Sequence, residues 1–142
     1  MLPSLPDYER LVYTLPDRYP SIRQSTLVVI RRGPAFAELT GVVEFEGEIT
    51  LAVWEDLNFA RGAIQGYSYA VNRQGERLYW YDPQPHPDDS SLAGTFPHHK
   101  HVPPDIKHHR VLAPGIGFDH ANLPTLIEEI ERDLLSIRAR PG

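Results

Sequence analysis

Residues 95–102 read TFPHHKHV and set three histidines and a lysine in four consecutive positions, between Pro97 and the pair Pro103 and Pro104. Five of the seven histidines (His98, His99, His101, His108, His109) fall within twelve residues. A proline biases its predecessor away from the helical region, so the run is expected to be extended. Alternate side chains of an extended segment face opposite ways. His99 and His101 then form one pair, and His98 and Lys100 another.

Three kinds of chemistry suit such a run. Imidazole titrates near pH ~6.5 and both takes and gives protons around neutrality. With a neighbouring cation to stabilise charge on a phosphate, a histidine pair suits transesterification at an RNA 2′-hydroxyl. An H-x-H pair on a strand also presents two imidazoles to one metal ion, which Asp82 or His86 would complete. The third reading is structural: loop histidines often only bond carbonyls in a proline-rich turn.

Around the run stand further candidates. Asp82 either holds a histidine tautomer or starts an Asp-Pro turn. Arg77 either meets a phosphate or pairs with an acid. Tyr67, Tyr69 and Tyr81 are either base-stacking platforms or the buried face of a sheet. His120 falls in a loop before the last helix.

These residues need elements to hold them. Ser4, Pro6 and Asp7 read as a helix start, and Leu5, Tyr8, Leu11, Val12 and Leu15 recur at helical spacing. Strand-like runs follow at 25–31, 35–45, 49–55, 64–71 and 77–82. In the second of these, Ala37, Leu39, Val43 and Phe45 alternate with polar residues. NRQG at 72–75 signals a hairpin. A three-residue loop there puts Tyr69 opposite Tyr79 and Tyr67 opposite Tyr81, with all four tyrosines on one face; a four-residue loop puts Tyr67 opposite Trp80. Residues 82–97 hold four prolines and should be irregular. Residues 110–114 suit a short strand. Residues 122–140 suit a helix capped by Asn122, or by a box at Thr125 and Glu128, with Ile127, Ile130, Leu134 and Ile137 buried. The fold expected is α+β: an antiparallel sheet of about five strands, flanked by an N-terminal and a C-terminal helix in two layers. One domain over 1–142 is expected.

Composition narrows the function. The chain has no cysteine, which excludes disulfides, thiol catalysis and thiolate metal sites and fits a reducing cytoplasm. Neither a leader nor a membrane span is expected. A net charge of −5 argues against broad nucleic-acid binding. Six acids and no base occupy 38–56, most simply as a solvated strand face, whereas 96–110 is locally basic. That contrast suits a compact anion site.

Tyr67-Ser68-Tyr69, Tyr81-Asp82, Pro85-His86, the box from Phe96 to His101 and the acidic helix at Leu126 to Ile130 together resemble the TumE-like toxin family of prokaryotic toxin–antitoxin modules. The resemblance spans about residues 64–132, and the histidine box is its specific part. It implies a toxin whose partner is a cognate antitoxin and whose substrate is RNA; a homodimer is compatible with it. The expectation is a metal-independent endoribonuclease with no cofactor. His99 and His101 would be its acid–base pair, Lys100 or Arg77 its charge stabiliser, His98, Asp82 and His86 supporting groups, and Tyr67, Tyr69 and Tyr81 base contacts. The alternatives are a metal-binding protein using the H-x-H pair and a non-catalytic RNA- or protein-binding module.

Overall fold

In a computed structural model describing residues 1–135, β-branched and alternating runs pair into one antiparallel sheet beside three helices. The elements are α1 (Leu5–Tyr13), α2 (Leu15–Arg18), β1 (Ile22–Ser25), β2 (Val28–Arg32), β3 (Phe36–Phe45), β4 (Ile49–Asn58), β5 (Ala63–Arg73), β6 (Glu76–Asp82), β7 (His99–His101), β8 (Arg110–Leu112) and α3 (Leu123–Asp133). Strands β3 to β8 run as a meander, each paired with the next, while β1 and β2 both pair with β3. The class is the expected α+β. The sheet is larger than about five strands, for two reasons. The single run expected at 25–31 is broken into β1 and β2, and the histidine run and residues 110–112 add a further hairpin at the far edge.

The break has a visible cause. Thr26 bonds back to Val42, and Leu27 turns into the core at 4% exposure. Gly41 opposite them has φ +142, and a β-carbon there would meet the Thr26 carbonyl at 2.6 Å. Only glycine tolerates both that dihedral and that approach.

The β5–β6 hairpin departs from both expected registers. Its turn is the two residues Gln74 and Gly75, both at positive φ, the conformation of a primed turn. A bulge between Val71/Tyr79 and Asn72/Arg77 inserts Leu78. Tyr69 therefore faces Tyr81, and Val71 faces Tyr79. A two-residue turn without the bulge would set Tyr69 against Trp80; the extra residue restores the parity. Tyr67, Tyr69, Tyr79 and Tyr81 do share one buried face.

The helices cover that face. Tyr8 of α1 donates to Glu55 of β4, Tyr81 of β6 donates to Glu129 of α3 at 2.8 Å, and Tyr19 reaches Glu128 at 3.0 Å. The core combines Tyr8, Val12 and Leu15 from the N-terminal helices, Leu39, Val43, Leu51 and Val53 from the sheet, and Leu126, Ile127 and Ile130 from α3. Ser4 caps α1 through the Asp7 amide, as its type predicts. Asn122 sits at the N-cap position of α3, but its side chain bonds Gly117 and the Tyr69 hydroxyl instead. The expected helix beyond 135, including Ile137, lies outside the described residues. Among those described, no helix is long and apolar enough to cross a membrane. Among the described residues no α-helix lies on the opposite face of the sheet, and there Asp82, His99 and His101 collect.

Candidate functional site on the outer sheet face

Register alone assembles the site. His99 lies opposite Asp82 and Leu112, and His101 lies opposite Trp80 and Arg110. Strand parity turns all six side chains to the face opposite the α-helices. His99 is 1% exposed and His101 5%, while the Asp82 side chain keeps 25%, so the cluster is buried on one side and open on the other. The cis peptide bonds Phe96–Pro97 and Pro103–Pro104 stand on either side of the short β7 strand.

Each imidazole is held at both nitrogens. His99 Nδ1 lies 3.1 Å from the Pro97 carbonyl, and His101 Nδ1 lies 3.0 Å from the Ile106 carbonyl. A carbonyl only accepts, so both Nδ1 atoms carry the proton. Their Nε2 atoms then point at one place: 3.1 Å from one another, 3.0 Å from Asp82 Oδ1 for His99, and 3.2 Å from Asp82 Oδ2 for His101.

Asp82 is anchored in turn. Its Oδ1 accepts from the Gln84 amide at 2.9 Å and its Oδ2 from the Trp80 indole at 3.1 Å. Burial alone would raise this carboxyl. The Gln84 and Trp80 donors, with the two imidazoles, bring it below its usual value instead. Burial lowers His101, with Asp82 and the Ile106 carbonyl opposing part of that effect. Trp80 also stacks on His101, the ring centroids 4.1 Å apart, and the Arg77 guanidinium lies 5.3 Å from the Trp80 ring.

Two more residues border the opening. His86 stands edge-on to His99 with centroids 4.8 Å apart. Burial lowers its pKa, and Arg110 and His99 lower it further. Arg110 projects beside His101, and its Nε is buried with no hydrogen-bond partner among the described residues. A cleft of about 550 Å³ opens between His86, Asp89, Ser90 and Arg110.

The fold thus brings Asp82, His86, His99 and His101 together, with Arg77 at the margin. It sends the other candidates to the inner face. Lys100 bonds Glu129 of α3 at 2.9 Å and lies over the Tyr79 ring at 4.2 Å. The His98 ring bonds the Tyr67 hydroxyl at 2.6 Å and meets Phe118 edge-on. Burial lowers its pKa, with His120 adding to the effect. Tyr69 is fully buried and donates to Glu55 at 2.5 Å. Tyr67 and Tyr81 are buried at 3% and 4%, so the tyrosine face is core surface, not a base platform. The division of the run into two opposed pairs is what the structure has. His108 and His109 stay exposed and bond Asp105 and the Pro103 carbonyl. Sequence reading passed over Arg110 and Trp80. Trp80 shares strand parity with Asp82, a signal already present in the hairpin, whereas the role of Arg110 depended on a pairing partner that spacing does not specify.

A family model described as Toxin TumE matches residues 11–135. The chain belongs to this family. The match takes in α2 and β1 to β4 as well as the histidine half, so it is wider than the resemblance in 64–132. TumE membership makes the protein a toxin of the toxin–antitoxin type, with an antitoxin as its counterpart. Neither the curated proteins nor the solved structures contain a match to it.

Proposed function

We propose that this toxin cleaves RNA phosphodiesters in the cytoplasm at the outer-face notch formed by Asp82, His99 and His101, until its antitoxin covers or displaces it. The observation that carries the reading is the convergence of two imidazole Nε2 atoms and one carboxylate, beside an arginine whose buried Nε has no partner among the described residues. A group that fills that need is an anion with several acceptor oxygens, and a phosphodiester has the right charge and shape.

Cleavage at a 2′-hydroxyl follows from such a set. One imidazole takes the 2′-hydroxyl proton as the 2′-oxygen bonds to phosphorus. The other, protonated, gives its proton to the departing 5′-oxygen. The products are a 2′,3′-cyclic phosphate and a 5′-hydroxyl. Asp82 orients the imidazoles and stabilises the one that is charged. Arg110 stabilises the equatorial oxygens of the phosphorane. Lys100 has no part in this scheme, because Glu129 already neutralises it on the other face.

The test is purified protein incubated with total RNA, followed by end-group analysis. Cleavage that disappears in His101→Ala, and growth arrest that disappears with it, is the expected result. Intact RNA with the wild-type protein, or wild-type arrest from both His99→Ala and His101→Ala variants that fold, overturns the proposal.

A further inference from the structure

The notch has a second property that general acid–base work does not require. With both Nδ1 protons committed to backbone carbonyls, three lone-pair donors face one point: His99 Nε2, His101 Nε2 and a carboxylate oxygen of Asp82. The two Nε2 atoms lie 3.1 Å apart and each faces its own Asp82 oxygen, Oδ1 at 3.0 Å and Oδ2 at 3.2 Å, so these acceptors repel unless something positive lies among them. One proton satisfies a single pair. An ion satisfies all three.

The spacing is that of a coordination face. Donors about 2.0–2.1 Å from a small divalent ion stand about 3.3 Å apart in tetrahedral geometry and about 3.0 Å apart in octahedral geometry. The Nε2–Nε2 separation of 3.1 Å lies in that interval, and the three ligand atoms all lie within 4.8 Å of one another. The surroundings also match what metal sites require of their second layer. Each imidazole donates its distal N–H to a carbonyl, and the carboxylate is held by the Trp80 indole and the Gln84 amide. Two neutral imidazoles and one carboxylate on a single face leave the other coordination positions open, the arrangement of catalytic and not of structural ions.

We infer that Asp82, His99 and His101 bind one divalent first-row transition-metal ion, of the zinc, manganese, iron or cobalt class. Imidazole nitrogen selects these over magnesium or calcium, which prefer all-oxygen sets. The ion departs from the metal-free expectation. A bound ion would take both Nε2 lone pairs, so the imidazole acid–base scheme would belong to the ion-free protein, and the ion would instead supply Lewis-acid chemistry. As a cofactor for RNA cleavage the ion rests on the reading in the preceding section. As a bound ion it stands on the geometry alone.

The experiment uses full-length protein without an affinity tag, stripped by chelator and titrated with cobalt(II) chloride, followed by visible absorption and by elemental analysis after desalting. The expected result is one ion per chain in the wild type and in His108→Ala, and loss of uptake in Asp82→Asn, His99→Ala and His101→Ala. Asp82→Asn keeps the backbone and side-chain shape, so it answers even where a histidine variant does not fold. No saturable uptake, or uptake unchanged in Asp82→Asn and a folded histidine variant, overturns the inference. An RNA cleavage arm with and without chelator separates the two readings. RNA cut in chelator by protein that takes up no ion overturns the ion and leaves cleavage standing. An ion bound at these residues with RNA left intact supports the ion and overturns cleavage.

Discussion

Arg110 and Trp80 show how differently two neighbours of one histidine act. The Arg110 Nε is buried without a hydrogen-bond partner among the described residues, which leaves its charge available to a ligand in the proposed mechanism. Arg110→Ala is expected to lower the RNA cleavage rate about a hundredfold while leaving the melting temperature near wild type, and Arg110→Lys should fall between, having charge but no fork. Equal activity in all three proteins would remove Arg110 from the mechanism. Trp80 instead stacks on His101 and donates to Asp82. Trp80→Phe keeps a stacking ring and deletes one hydrogen bond, worth about 1 kcal/mol. The expected outcome is a fall in kcat of about fivefold to tenfold with KM unchanged. A change confined to KM would make Trp80 a substrate contact.

At the scale of elements, one inserted residue decides which face does chemistry. Leu78 sits in the β6 bulge, between the pairs Val71/Tyr79 and Asn72/Arg77. Were it paired in a regular ladder instead, the faces of β6 would exchange, driving Trp80 and Asp82 toward the core and Tyr79 and Tyr81 outward. Deleting it joins Arg77 to Tyr79 and leaves the pairs Asn72/Arg77, Val71/Tyr79 and Tyr69/Tyr81 in place. Deletion of Leu78 is therefore expected to retain cooperative unfolding, read by circular dichroism. Loss of the cooperative melt in the deletion would show that the bulge itself is needed for the fold. The Gly41 approach is a second such device. Gly41→Ala is expected to cost at least about 2 kcal/mol in chemical denaturation, because strained dihedral and steric clash add.

For the molecule as a whole, placing the described α-helices on one face of the sheet concentrates buried polar groups beneath them. Glu55 is the clearest of these, fully buried among the hydroxyls of Tyr8 and Tyr69. Burial raises its carboxyl from 4.5 to about 7, with the two tyrosines opposing part of the rise. The folded state therefore holds a proton that the unfolded chain releases. This stabilisation is fully present below about pH 4.5 and is lost as pH rises through about 7. At roughly 1.4 kcal/mol for each pH unit between those values, the loss is about 3 kcal/mol. Glu55→Gln removes the titration, so its stability relative to wild type should rise by about that amount between pH 4.5 and pH 8, measured by urea denaturation. A difference that stays constant with pH would show that Glu55 does not titrate in this range.

The sequence by itself determined what depends on local order. Prolines around the histidine run made it extended, alternation put His99 and His101 on one side and His98 and Lys100 on the other, and hydrophobic period two marked β3 with Leu39 and Val43 inward. The same parity joined the four tyrosines, because it survives any even change of register. Tertiary structure decided what depends on partners distant in the chain. Glu129 lies 29 residues from Lys100 and converts it from a candidate cation into half of an ion pair. Arg110 reaches the site only because β8 pairs with β7, and Asp82 meets both imidazoles only because β6 lies on the other side. Spacing fixes which way a side chain points. Long-range pairing fixes what it points at, and here that second fact separates the chemistry of the notch from the chemistry of the core.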